Sequence, residues 1–191
     1  YGIDVPVLTD KGVWVSGART NLITTSDISS WNKTGVTIEA EGVAPDGSEA
    51  YKIIESDGGG RHHAGISFVL SGAVEYTRSV YVKAGSPDRS IAILTDNFAG
   101  HVNPLSLVFN PYSGEVVSGQ DKERVSIEDA GSGWWRISLN AISVDGGSYI
   151  FNIDIRESTA QTYIGDGSSH IYVAMPQVET GPTATPYIPT K

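Results

Sequence analysis

The chain has 191 residues, 39% of them apolar, which is enough for a packed core and suits one large β domain better than two small ones. A net charge of −9 without any cluster of Lys and Arg disfavours a nucleic-acid or anionic-membrane partner, because phosphate contacts need grouped cations. With no cysteine, a disulfide scaffold, a Cys-based zinc site and a Cys nucleophile are excluded, and no run of about 18 apolar residues offers a membrane-spanning helix.

Tyr1 to Ser16 holds two short apolar runs around Asp10-Lys-Gly12 and reads as a lead-in with a short strand. Starting without Met and without a signal-peptide pattern, the chain is expected to be part of something longer. The domain proper is expected over 17–191. Ser26 to Trp31 is a loop or one helical turn capped by Ser26 or Asp27. Val36 to Ala40 and Ala50 to Glu55 alternate as strands, joined by the Ala44-Pro-Asp-Gly-Ser48 turn. Asp57-Gly-Gly-Gly-Arg-His-His63 reads as a flexible loop.

Ala64 to Leu70 and Glu75 to Lys83 are strong strand candidates. In the second, Tyr76, Val80 and Val82 share a face with Arg78, while Thr77, Ser79, Tyr81 and Lys83 take the other. Ser90 to Thr95 and Leu105 to Phe109 follow, and Asn110-Pro-Tyr-Ser-Gly114 turns into Glu115 to Ser118 as a hairpin. Val125 to Asp129 pairs with the next strand through Gly131-Ser-Gly133. That next strand, Trp134 to Asn140, sends Trp135, Ile137 and Leu139 to one face and Trp134, Arg136, Ser138 and Asn140 to the other. In Ser148 to Arg156, Tyr149, Phe151, Ile153 and Ile155 oppose Asn152, Asp154 and Arg156. Tyr163 to Gly167 is a turn, His170 to Val178 the last strand, and Gly181 to Lys191 a proline-rich exit. A dozen short strands with turn signals and no long helix predict an all-β, two-sheet antiparallel sandwich of the jelly-roll kind.

Several stretches in order carry a resemblance: Ala18-Arg-Thr-Asn-Leu-Ile23, Trp31 ahead of Gly35-Val-Thr37, Ala44-Pro-Asp-Gly47, Tyr76 to Gly85, Gly133-Trp-Trp-Arg136, Tyr163-Ile-Gly-Asp-Gly167, and Gln177-Val-Glu179 before Ala184 to Thr190. The set resembles the carbohydrate-binding-module-like jelly rolls of bacteriophage tail fibres, tail spikes and head fibres. That resemblance implies a module of a trimeric virion fibre that attaches to host cell-surface glycan. It also admits a structural calcium near the chain termini, with no ligand set readable here. Arg78 departs from the pattern, which has an apolar residue at that place.

Sugar binding needs an aromatic platform and planar polar groups. The polar faces supply Tyr81, Lys83, Trp134, Arg136, Asn152 and Asp154, which form one patch if their strands are neighbours in one sheet. The alternatives are that this face is solvated or covered, that both tryptophans are core, or that end loops with Asp96, Asn97, His101, His62 and His63 carry the site. His62 and His63 are adjacent, so on a strand they oppose one another and suit no shared metal. Asp166 serves as a turn residue or a calcium ligand. Two rivals to glycan binding stand: a structural trimerising or decorating module, and a polysaccharide lyase or hydrolase using carboxylates such as Asp154 and Glu157. The chain lacks the Gln-Ile-His element of jelly-roll alginate lyases, a Gly-x-Ser-x-Gly turn and a phosphate-cradling loop. A non-catalytic role is expected.

Overall fold

The computed structural model describes residues 7–9, 12–14, 19–95, 106–119 and 122–190. In chain order the strands are β1 (Val7–Thr9), β2 (Gly12–Trp14), β3 (Asn32–Thr34), β4 (Val36–Val43), β5 (Glu49–Glu55), β6 (Gly59–Gly60), β7 (His62–Leu70) and β8 (Glu75–Ala84). They continue as β9 (Arg89–Thr95), β10 (Ser106–Asn110), β11 (Glu115–Gly119), β12 (Val125–Gly131), β13 (Trp134–Ile142), β14 (Gly147–Glu157), β15 (Tyr163–Ile164) and β16 (His170–Thr180). Among the described residues helix is limited to two 3-10 turns, Ile28–Ser30 and Lys122–Arg124. The first is capped by Asp27, whose carboxylate accepts from the Ser29 N–H.

The strands make two six-stranded antiparallel sheets, here called the β14 sheet (β11-β10-β9-β14-β7-β3) and the β13 sheet (β12-β13-β8-β16-β5-β4). Two short ribbons, β1-β2 and β15-β6, lie outside these sheets. The period-two pattern decides which side of each sheet is dry. Phe151, Ile153 and Ile155 of β14 meet Ile137 and Leu139 of β13, Val80 and Val82 of β8, and Ile171 and Val173 of β16 in one continuous core. Trp135 packs against this core edge-to-face with Phe109, ring centroids 5.5 Å apart, and its indole N–H donates to the Pro111 carbonyl at 3.1 Å.

Arg78 keeps its strand's orientation. Its side chain enters the core with no exposed surface, donates to the Tyr76 hydroxyl at 2.8 Å, and lies 5.3 Å from the centroids of both Phe68 and Tyr76. Aromatic ring faces accommodate the cation where the pattern asks for an apolar residue.

The turns follow their residues. Asn110 accepts from the backbone of Tyr112 and Ser113 through its side chain and from Gly114 through its carbonyl, closing the β10–β11 hairpin. At the β12–β13 turn Gly131, Ser132 and Gly133 all have left-handed backbone, with φ of 81°, 54° and 80°, and glycine at two of the three places avoids the Cβ clash.

A candidate polar cleft on the outer face of the β14 sheet

The six residues expected to form one patch divide between the two sheets. Trp134 pairs with Lys83 and Arg136 with Tyr81 across β13 and β8, so these four are neighbours. Asn152 and Asp154 lie on β14, in the opposite sheet, and the single six-residue patch does not exist. Strand neighbours are fixed by long-range pairing, which alternation within one strand does not encode.

Trp134 and Arg136 on the β13 sheet are also not an open platform. Trp134 is 4% exposed and packs with Ala44, Ala50, Ala174 and Met175, with Tyr187 against the cluster. The cover is the proline-rich exit. Thr185 gives its N–H and hydroxyl to Glu179 at 2.8 Å each, Ile188 gives its N–H to the Gln177 side chain at 2.6 Å, and Asn21 donates to the Ile188 carbonyl at 3.2 Å. Arg136 stacks over Tyr81 at 5.4 Å and donates to the Thr185 carbonyl and the Ser79 hydroxyl. Residues 181–190 thus form a strap, and Trp134 and Arg136 hold it down.

The open surface is on the other sheet. In the register of β7 against β14, Gly65 faces Asn152 and His63 faces Asp154. Arg61 immediately precedes β7, and its guanidinium reaches Asp154. On the far side of β7, Asn32 of β3 faces Gly65. Asn32, Arg61, His63, Ser67, Ile150 and Asn152 line a cleft of about 280 Å³ with Gly65 at its floor. A Cβ on residue 65 would stand 2.1 Å from the Asn152 side-chain oxygen, so glycine there leaves the amide its place.

Behind the cleft lies a charge cluster. Asp154 is 1% exposed, and its carboxylate accepts from Arg61 Nη2 at 3.2 and 3.1 Å and from Arg156 Nη2 at 3.1 Å. Burying this carboxylate requires such partners. The Nε–H groups of Arg61 and Arg156 are buried and donate to no group among the described residues. Asp154 is therefore a positioning residue for two guanidinium groups and has no free edge for a ligand. Sequence reasoning missed Arg61, which looked like the end of a glycine-rich loop. The signal was its shared parity with His63 and Ser67.

The chain entering β7 is fixed by its neighbours. His62 is buried, its Nδ1 lies 2.7 Å from the Gly35 carbonyl oxygen, and its ring stacks on Tyr163 at 4.5 Å. Tyr163 donates its hydroxyl to Glu55 at 2.7 Å; burial, then that bond, push its ionisation far up. His62 and His63 point to opposite faces, as expected of adjacent strand residues. Asp166 is a turn residue: its carboxylate accepts from the backbone N–H groups of Ser168 and Ser169 and from both hydroxyls. The Ser169 hydroxyl first, then those N–H groups, hold it well below the usual carboxylate range. Among the described residues no group of three or more His, Asp or Glu is disposed to hold a metal ion. The loop candidates Asp96, Asn97 and His101 lie outside the described residues.

A second cleft, of about 190 Å³, lies at the seam between the strap and the β4–β5 turn, beside Tyr51, Glu49 and Tyr187. Its polar groups answer one another, with the Tyr51 hydroxyl donating to Glu49 at 2.9 Å. The β14-sheet cleft, with unmatched N–H donors behind it, is the better candidate for a ligand.

No family model and no curated protein matches the chain. Solved structures do. TmCBM61, a carbohydrate-binding module solved in complex with β-1,4-galactotriose, is similar with a TM-score of 0.53 at 11% identity, over 85% of this chain and 99% of that one. A module from Cellvibrio mixtus lichenase 5A, in complex with cellotriose, gives 0.46 at 10% identity over 85% and 99%. The enzymatically active domain of tailspike protein 4 from bacteriophage CBA120 gives 0.44 at 11% identity, over 84% of this chain and 21% of that one. The chain has the antiparallel β-sandwich fold of carbohydrate-binding modules.

Proposed function

We propose that this chain is a non-catalytic glycan-binding module that holds its ligand on the outer face of the β14 sheet. The observation that carries the reading is the open cleft in which Asn32, Arg61, His63, Ser67 and Asn152 converge. Amide, guanidinium, imidazole and hydroxyl groups are the donors and acceptors that sugar hydroxyls match, and they stand on paired strands that fix their spacing. The fold supports the reading, since the similar family 61 module was solved with an oligosaccharide. Among the described residues the cleft lining has no carboxylate, and Asp154 behind it is occupied by two guanidinium groups, which disfavours the hydrolase alternative.

In this reading the module spans 17–191, residues 1–16 connect it to the body of a homotrimeric phage tail or head fibre, and the partner is host cell-surface polysaccharide met outside the cell. The assembly alternative draws on one feature: β11 is a sheet-edge strand exposed at all five residues, Val116 and Val117 among them. A glycan array probed with the whole chain and with Asn152→Ala tests the proposal. Binding by the native chain that weakens about 10-fold in the variant supports it, one such factor being the worth of a lost hydrogen bond. A chain that binds nothing on the array, yet assembles through β11, turns the choice to the structural module.

A further inference from the structure

We infer that the β14-sheet cleft takes an anionic sugar, a glycan residue bearing a carboxylate or an esterified phosphate or sulfate, with Arg61 as its anchor. This rests on the glycan-binding reading above and makes it narrower.

Arg61 and Arg156 converge on one carboxylate, which brings two like charges close together. The carboxylate of Asp154 is the only anion that the described contacts give them, and it serves both, leaving one positive charge in excess. That excess lies beside a cleft whose lining has no Asp or Glu among the described residues, on a chain whose net charge is −9. A cation kept at one polar cleft of an acidic protein favours a negative ligand there and disfavours negative ligands elsewhere.

The hydrogen-bond inventory agrees. Both buried Nε–H groups lack an acceptor among the described residues, although buried donors are ordinarily matched. The Arg61 side chain keeps 32% of its surface exposed, so it is not sealed by the ion pair with Asp154. Its guanidinium is planar and anchored at Nη2, and its exposed part is suited to an oxyanion. Among the described residues the lining contains no Trp, Tyr or Phe to stack on the apolar face of a neutral sugar ring. Recognition through charge and planar polar groups is what the cleft offers instead.

The test is calorimetric titration of the whole chain with four probes: a uronic-acid oligosaccharide, the same oligosaccharide after carboxyl reduction, a sulfated one, and a neutral galactan oligosaccharide. The expected result is binding of at least one acidic probe that weakens about 10-fold or more in Arg61→Gln, is partly kept in Arg61→Lys, and falls with added salt. A uronate that loses binding on reduction assigns the carboxylate, and a sulfated probe that binds alone assigns the ester. The comparison of acidic and reduced probes on the native chain needs no variant, so a poorly folding Arg61→Gln leaves the test intact. Equal binding of neutral and acidic probes overturns the inference while leaving glycan binding in place. Binding to none of the four overturns this inference, and if the array is also blank the glycan reading falls with it.

Discussion

Arg89 grips Glu55 through two parallel hydrogen bonds of 2.7 Å, Nε to one carboxylate oxygen and Nη2 to the other, with both side chains closed to solvent. Glu55 ends β5 in the β13 sheet and Arg89 begins β9 in the β14 sheet, so the pair ties one sheet to the other. The Tyr163 hydroxyl and the Asp166 N–H also donate to this carboxylate. Truncating one side of such a pair leaves a buried charge without its partner. Arg89→Met is expected to lower unfolding free energy by about 3–5 kcal/mol, as read by urea denaturation.

The same carboxylate sets a pH response. Burial opposes its ionisation, but the Arg89 guanidinium, the Asp166 N–H and the Tyr163 hydroxyl outweigh burial and hold its pKa below the ordinary value. Asp166 is depressed as well. A depressed folded pKa contributes stability that is present above the unfolded value, about 4, and is lost as pH falls through the folded value. Stability is therefore expected to be flat above about pH 5 and to decline below about pH 4. In Asp166→Asn the acid limb is expected to be shallower. Thermal melts across that range check it, and a decline beginning near pH 6 would contradict it.

Trp134 is a packing residue beneath a strap, which sets its substitution apart from that of a sugar platform. Trp134→Ala is expected to cost about 3–5 kcal/mol of stability, the usual range for emptying such a site, and to leave glycan affinity unchanged once the protein is folded. Denaturation and binding measured on the same sample separate the two effects. A Trp134→Ala chain of native stability that no longer binds would reverse the assignment.

Gly65→Ala probes the cleft floor. The added methyl group meets the Asn152 oxygen, and the amide has to swing away. A drop in glycan affinity of about 10-fold is expected, with only a modest change in melting temperature. Unaltered affinity would mean that Asn152 takes no part.

These outcomes mark where residues alone were informative. Period-two alternation in Tyr149 to Arg156 and in Trp134 to Asn140 placed Phe151, Ile153, Trp135 and Leu139 on the dry side, because each strand contains its own alternation. The turns at Asn110–Gly114 and Gly131–Gly133 were legible for the same local reason. What depends on distant pairing was not. Nothing near Asn152 says that β14 lies between β9 and β7 rather than beside β13. The burial of Trp134 follows from residues 181–190 folding back across β16, a contact that its own strand does not signal. Arg61 entered the site only once β7 was seen to begin at His62 and to pair with β14 through Ile155.

The central claim is the location of the ligand, and backbone amide NMR of the native chain titrated with its best-binding oligosaccharide tests it most directly. Ligand-induced shifts are predicted at His63, Gly65, Ser67 and Asn152, with Tyr81, Trp134 and Arg136 unmoved. Shifts confined to Tyr81, Trp134 and Arg136, with the β14-sheet face silent, would contradict the account.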